Sequence, residues 1–70
     1  MEASYNIARA FHQLNLIHFA VYYYEKVLKV EVSSNENHLK REAAFNLSLI
    51  YLSSGNQTLA RKILRDFATV

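Results

Sequence analysis

Apolar residues recur along this chain at three- and four-residue intervals, which predicts four helices. The first runs from about Glu2 to Leu14, with Ala3, Ile7, Ala10, Phe11 and Leu14 on one stripe. Asn15 follows, a residue that tolerates the left-handed conformation used to end helices. The second runs from about Leu16 to Val30, and its main stripe is Ile17, Ala20, Val21, Tyr24, Val27 and Leu28. The polar stretch "EVSSNENH" then reads as a loop plus the cap of the next helix. A third helix covers about Leu39 to Ser53, with Ala43, Leu47, Ile50 and Tyr51 inward. Gly55 closes it, and Asn56 or Thr58 can cap a fourth helix whose stripe is Leu59, Ala60, Ile63, Leu64 and Phe67.

The two halves are related. "YNIARAFHQLNLIHFA" (5 to 20) aligns without a gap on "FNLSLIYLSSGNQTLA" (45 to 60), an offset of 40 residues. Tyr5 then pairs with Phe45, Asn6 with Asn46, Ile7 with Leu47, Phe11 with Tyr51, Asn15 with Gly55 and Ala20 with Ala60. Two copies of a helix-turn-helix are the sequence mark of a solenoid.

Composition narrows the picture without changing it. Seventy residues, 51% of them hydrophobic, with no proline and one glycine, give one small all-α unit rather than a linker or a turn-rich sandwich. With no cysteine there is no disulfide and no thiolate metal site. No apolar run approaches the roughly 20 residues of a membrane span, and nothing resembles a signal peptide. A net charge of +2 is too small to indicate nucleic-acid binding by itself. Met1 leading directly into helix-forming sequence is expected of a piece of a longer chain.

Reactive chemistry finds no foothold, and no cofactor is expected. His12, His18 and His38 lack zinc spacing on one helix, and no convergent carboxylates complete a site. Ser33, Ser34, Ser53 and Ser54 lie in turn-like contexts without a His–acid arrangement and read as caps. There is no glycine-rich phosphate loop. The chain does not read as an enzyme.

These spacings resemble the tetratricopeptide repeat family. In "EASYNIARAFHQLNLIHFAVYYYEKVLKV", Ile7 and Ala8 stand for that family's Leu-Gly, Phe11 for its Tyr, Asn15 for its turn Gly, Ala20 for its Ala and Tyr24 for its aromatic. Leu47, Ser48, Tyr51, Gly55 and Ala60 take those places in the second copy. Ser4 and Ala44 depart from the usual Trp, and Phe67 replaces a small residue. The repeat is also about six residues longer than the standard one, an excess that must lie between residues 29 and 42. The resemblance implies two repeats, four antiparallel helices at the end of a right-handed α-solenoid. Repeat one would span about 2–30, the connection 31–38 and repeat two 39–70. Across nearly the whole chain, "ARAFHQLNLIHFAVYYYEKVL" and "REAAFNLSLIYLSSGNQTLAR" further resemble the last repeats of the tetratricopeptide subunits of RNA polymerase III transcription factor IIIC, the end of the chain matching their C-terminus. That implies a nuclear scaffold whose partners are transcription factor IIIB or other subunits of transcription factor IIIC.

In such a repeat the second helix packs on its own first helix and on the next repeat. Leu16, Phe19, Tyr23 and Val30 form a second apolar stripe, leaving His18, Tyr22, Glu25 and Lys29 for water. Tyr24 is therefore expected in the core, Tyr23 in or beside the seam between repeats, and Tyr22 outside. On the third helix Phe45, Leu49 and Leu52 add a second apolar row, and the family places such positions along a concave groove. Tyr5, Arg9, His12 and Gln13 of the first helix would edge it. This suits an amphipathic helix or extended peptide with apolar anchors. The alternative is that neighbouring segments of the same array, or self-association, cover that row. The family's clamp for a chaperone C-terminal carboxylate is not expected, because Tyr5 and Arg9 stand where it needs Lys and Asn, and only Asn46 remains. Arg61, Lys62, Arg65 and Asp66 on the fourth helix read as the solvated end of an array. A secondary contact with phosphate or acidic peptide through Arg61, Lys62 and Arg65, with Lys40 and Arg41 nearby, is the weaker reading; direct nucleic-acid binding is not expected.

Overall fold

A computed structural model describes residues 2–29 and 37–68. They form α1 (Glu2–Gln13), α2 (Ile17–Lys29), α3 (Asn37–Ser53) and α4 (Gln57–Ile63), and α4 continues into a π-helical turn, Leu64–Ala68. No strand occurs among the described residues, so the fold is all-α. α1 packs on α2, α2 on α3, and α3 on α4 with its π turn; α1 and α3 touch along a short stretch. Residue 30 and the polar connection at 31–36 lie outside the described residues.

The two hairpins turn by the same hydrogen bonds, shifted by 40 residues. After α1, Leu14 N–H donates to Ala10 O, Asn15 N–H to His12 O and Leu16 N–H to Phe11 O. After α3 the same three bonds join Ser54 to Ile50, Gly55 to Leu52 and Asn56 to Tyr51. The six-to-one bond around a left-handed residue is the Schellman arrangement. The left-handed residues are Asn15 (φ 61) and Gly55 (φ 82). Asn56 then caps α4, its side chain accepting from Leu59 N–H at 3.2 Å. A Cβ at Gly55 would meet no atom within 4 Å, so only its backbone conformation opposes a side chain there. Gly55→Ala should therefore lower stability by about 1 kcal/mol, whereas Asn15→Gly should be neutral or slightly stabilising; urea unfolding of both variants checks the pair.

The core follows the expected stripes on α2, α3 and α4. Ala20, Tyr24, Val27 and Leu28 of α2 and Ala43, Ala44, Leu47, Ser48 and Ile50 of α3 are buried, with Ala60 of α4. Small residues are buried at matching places in each hairpin, Ala8 with Ala20 and Ser48 with Ala60, as close helix contact requires. Ser48 satisfies its buried hydroxyl by donating to Phe45 O at 2.7 Å.

On α1 the expected stripe is corrected. Ala3, Ile7, Ala10 and Leu14 are exposed, Phe11 is half-buried, and the inward face is Ser4, Tyr5, Ala8, Phe11 and His12. Three of those five inward residues are polar or amphipathic, and Tyr5 and His12 bring hydrogen-bonding tips to the core. α3 also begins at Asn37, two residues before its apolar pattern does. Applying the 40-residue offset, Glu2 at the head of α1 corresponds to Glu42, so α3 carries five additional residues, 37 to 41, at its N-terminal end. Part of the long repeat is thus taken up as helix.

Candidate functional site

The face shared by α1 and α3 is built on Tyr24. Its side chain, the largest fully buried one, comes from α2 and belongs to the core cluster that includes Ala8 of α1 and Ala43, Ala44, Leu47 and Ile50 of α3. Its hydroxyl meets His12 Nδ1 at 3.1 Å, and the two rings meet edge to face with centroids 5.8 Å apart. Burial, chiefly, pushes the Tyr24 phenol up to about 12, with Tyr5 adding to the shift and Arg9 opposing it. The Tyr5 ring packs beside it at 6.1 Å. The Tyr5 hydroxyl accepts long hydrogen bonds, 3.4 Å each, from Arg9 on its own helix and from Asn46 on α3. Asn46 also donates to Glu42 O at 2.9 Å. The hydrogen bond that Arg9 donates to Tyr5, and then the charge of the Tyr5 phenolate, raise the Arg9 guanidinium above its ordinary value, with burial opposing.

Tyr5 and His12 are thus half-buried ties that fix α1 against α2 and α3, not only an edge to a groove. Arg9 and Gln13 are exposed beside them. On α3 the second apolar row stands uncovered: Phe45, Leu49 and Leu52 are 50%, 42% and 46% exposed. His12 and Leu49 line one cleft of about 400 Å³, completed by Ile50, by Asn15 and Ile17 around the first turn, and by Ser53 and Ser54 at the second. The structure therefore joins one residue of each expected row, His12 and Leu49, while Tyr5, Arg9, Gln13, Phe45 and Leu52 do not line that cleft.

Arg61 and Lys62 are exposed on α4, and Arg65 is exposed on the π turn that follows it. Arg65 lies 3.7 Å from Asp66, a surface pair that contributes little. Among the described residues no group of three or more His, Cys, Asp or Glu side chains could hold a metal, and no helix is long and apolar enough to cross a membrane.

The tyrosine triplet divides as the helix geometry requires. Tyr24 is core and Tyr22 is exposed. Tyr23, expected in or beside the seam between repeats, instead stacks on Phe11 of its own hairpin at 5.7 Å. Phe19 also stacks on Phe11, at 5.1 Å. Tyr22 meets the edge of Tyr23, and Lys26 Nζ lies 5.4 Å and 5.6 Å from those two ring centroids. The sequence reading did not assemble this ladder, although Phe19, Tyr23 and Lys26 have the i, i+4, i+7 spacing that would place them on one face.

With the geometry in view, the chain can be set beside known proteins. It is 40% identical over 75 aligned positions, 99% of the chain, to general transcription factor 3C polypeptide 3 of Homo sapiens. It is 38% identical over 69 positions, again 99% of the chain, to the transcription factor tau 131 kDa subunit of Saccharomyces cerevisiae. The transcription factor tau subunit sfc4 of Schizosaccharomyces pombe is 41% identical over 89% of the chain. The chain is homologous to a segment of these transcription factor subunits. It spans 8%, 6% and 8% of their respective lengths. No protein-family profile matches the chain, and no solved structure matches it either.

Proposed function

We propose that this segment is a protein–protein interaction scaffold within a nuclear transcription factor subunit of the transcription factor IIIC type. In this reading its α1–α3 face holds an amphipathic helix or extended peptide from another transcription factor IIIC subunit or from transcription factor IIIB. The contact then helps assemble the RNA polymerase III initiation machinery. Two supports come from different sources. All three relatives are named as transcription factor components, two of them as subunits. The observation that carries the groove is the apolar row Phe45, Leu49 and Leu52, left uncovered on a helix whose opposite face is core. Arg9 and Gln13, exposed next to residues tied into the core, supply a polar edge on a fixed frame. Arg61, Lys62 and Arg65 are at most a secondary contact in this reading.

Leu49→Arg tests the groove. The substitution puts a charge into the exposed row without removing a buried side chain, so helicity by circular dichroism should stay the same. Capture of RNA polymerase III factors from nuclear extract, quantified by mass spectrometry, should fall at least tenfold, the equivalent of about 1.4 kcal/mol. Unchanged capture by a folded variant would move the binding surface elsewhere.

A further inference from the structure

The cleft of about 400 Å³ at the ends of α1 and α3 has a mixed lining. Ile17, Leu49 and Ile50 make it apolar on one count, and His12, Asn15, Ser53 and Ser54 make it polar on another. None of these seven side chains is an acid, a lysine or an arginine. The direction of two of the polar groups is fixed from inside the fold. Among the described residues, the partner of the buried Tyr24 hydroxyl is His12 Nδ1, at 3.1 Å. A buried O–H without an acceptor is costly, so Tyr24 donates and Nδ1 accepts. A neutral imidazole whose Nδ1 accepts carries its hydrogen on Nε2, so the nitrogen that His12 has left for the cleft is a donor. Ser54 is the reverse. Its hydroxyl donates to Ile50 O at 3.0 Å, which leaves its oxygen to accept. An aliphatic surface, a donor and an acceptor therefore meet in one uncharged cleft.

We propose that this cleft seats a tyrosine side chain of the bound segment, its ring against Ile17, Leu49 and Ile50 and its hydroxyl exchanging hydrogen bonds with His12 and Ser54. Such an anchor rests on the reading that the α1–α3 face holds a partner segment, and it adds which side chain that segment inserts. The other side chains each leave something unmet. Phenylalanine or leucine would cover the His12 Nε2–H without giving it an acceptor. Tryptophan ends in an N–H that only donates, so it cannot answer that group either. Asparagine and glutamine have too little apolar body for three aliphatic walls. A carboxylate would enter a cleft with no lysine or arginine in its lining to offset its desolvation. Tyrosine alone combines a flat apolar body with a tip that both accepts and donates.

The probe is p-cresol, the tyrosine side chain as a free molecule. It is compared with toluene, which lacks the hydroxyl, and with p-toluate, which carries a carboxylate in its place. Each is titrated into the chain alone, and binding is followed by the amide NMR shifts of Asn15, Leu49, Ser53 and Ser54. p-Cresol should move those amides and bind roughly threefold or more tightly than either analogue. His12→Phe keeps a ring against Tyr24 but has no N–H, so there p-cresol should bind no better than toluene. Should that variant not fold, the three probes on the parent chain still decide. Equal binding of toluene, tighter binding of p-toluate, or no amide shift with p-cresol would each overturn the tyrosine anchor. Nitrogen correlation NMR of the His12 ring checks the donor without any ligand: the hydrogen should sit on Nε2, and a hydrogen on Nδ1 would overturn the assignment. These readouts need no partner. If p-cresol fails while Leu49-dependent capture from nuclear extract persists, the face stands and the tyrosine anchor falls.

Discussion

Tyr24→Ala is expected to unfold the molecule. The substitution empties the largest fully buried site, which touches α1 through Tyr5 and His12 and lies in the core that α2 and α3 share. Truncating a buried aromatic side chain costs about 3–5 kcal/mol, because the lost transfer energy is joined by a cavity its neighbours cannot close. A chain of this size holds roughly 3–10 kcal/mol in all. The variant's circular dichroism at 25 °C should accordingly be that of a largely unfolded chain, or its melting midpoint should fall by tens of degrees. Tyr24→Phe separates the two contributions of the residue. It keeps the ring and removes only the hydroxyl that meets His12 Nδ1, so it should cost about 1 kcal/mol. Equal damage from Phe and Ala would assign the effect to the hydrogen bond and not to packing.

The same residue shows why sequence reading succeeds in one place and fails in another. Tyr24 belongs to the α2 stripe, and α2 is covered on both sides by α1 and α3, so its apolar period and its burial coincide. The turns were equally legible, since a left-handed residue is needed at each and Asn15 and Gly55 are among the few types that accept it. α1 has a neighbour on one side only. Its most regular apolar stripe, Ala3, Ile7, Ala10 and Leu14, faces away from that neighbour. Periodicity finds an apolar face but does not identify what covers it. The face that is covered contains Ser4, Tyr5 and His12, which count as polar or ambiguous in any pattern although their packing is structural. For the same reason the row Phe45, Leu49 and Leu52 was visible as apolar, whereas the role of Tyr5 and His12 as ties required geometry. The π turn at Leu64–Ala68 left no trace, because a one-residue widening of the helix has no compositional signature.

Raising the pH should dismantle the fold from inside. Burial pushes the Tyr24 phenol up to about 12, from an unfolded value near 10. The folded protein thus holds that proton more tightly than the unfolded chain does. The resulting stability is complete below pH 10 and is lost as pH climbs from 10 through 12, where only the unfolded chain readily ionises. Two pH units correspond to roughly 2.7 kcal/mol for this fully buried group, a large share of the total. Tyr51 acts in the same direction. It is also raised to about 12, first by burial and then by the Glu25 carboxylate that accepts its hydroxyl, but its partial exposure makes its contribution smaller. Helicity followed by circular dichroism should therefore collapse between about pH 10 and 12, together with the rise in phenolate absorbance. Tyr24→Phe should invert its rank against the parent, being less stable at pH 7 yet losing less stability across the alkaline range. A parent whose helicity is flat to pH 12, or a Phe variant with the same alkaline loss, would mean that this phenol is not the group that titrates with unfolding.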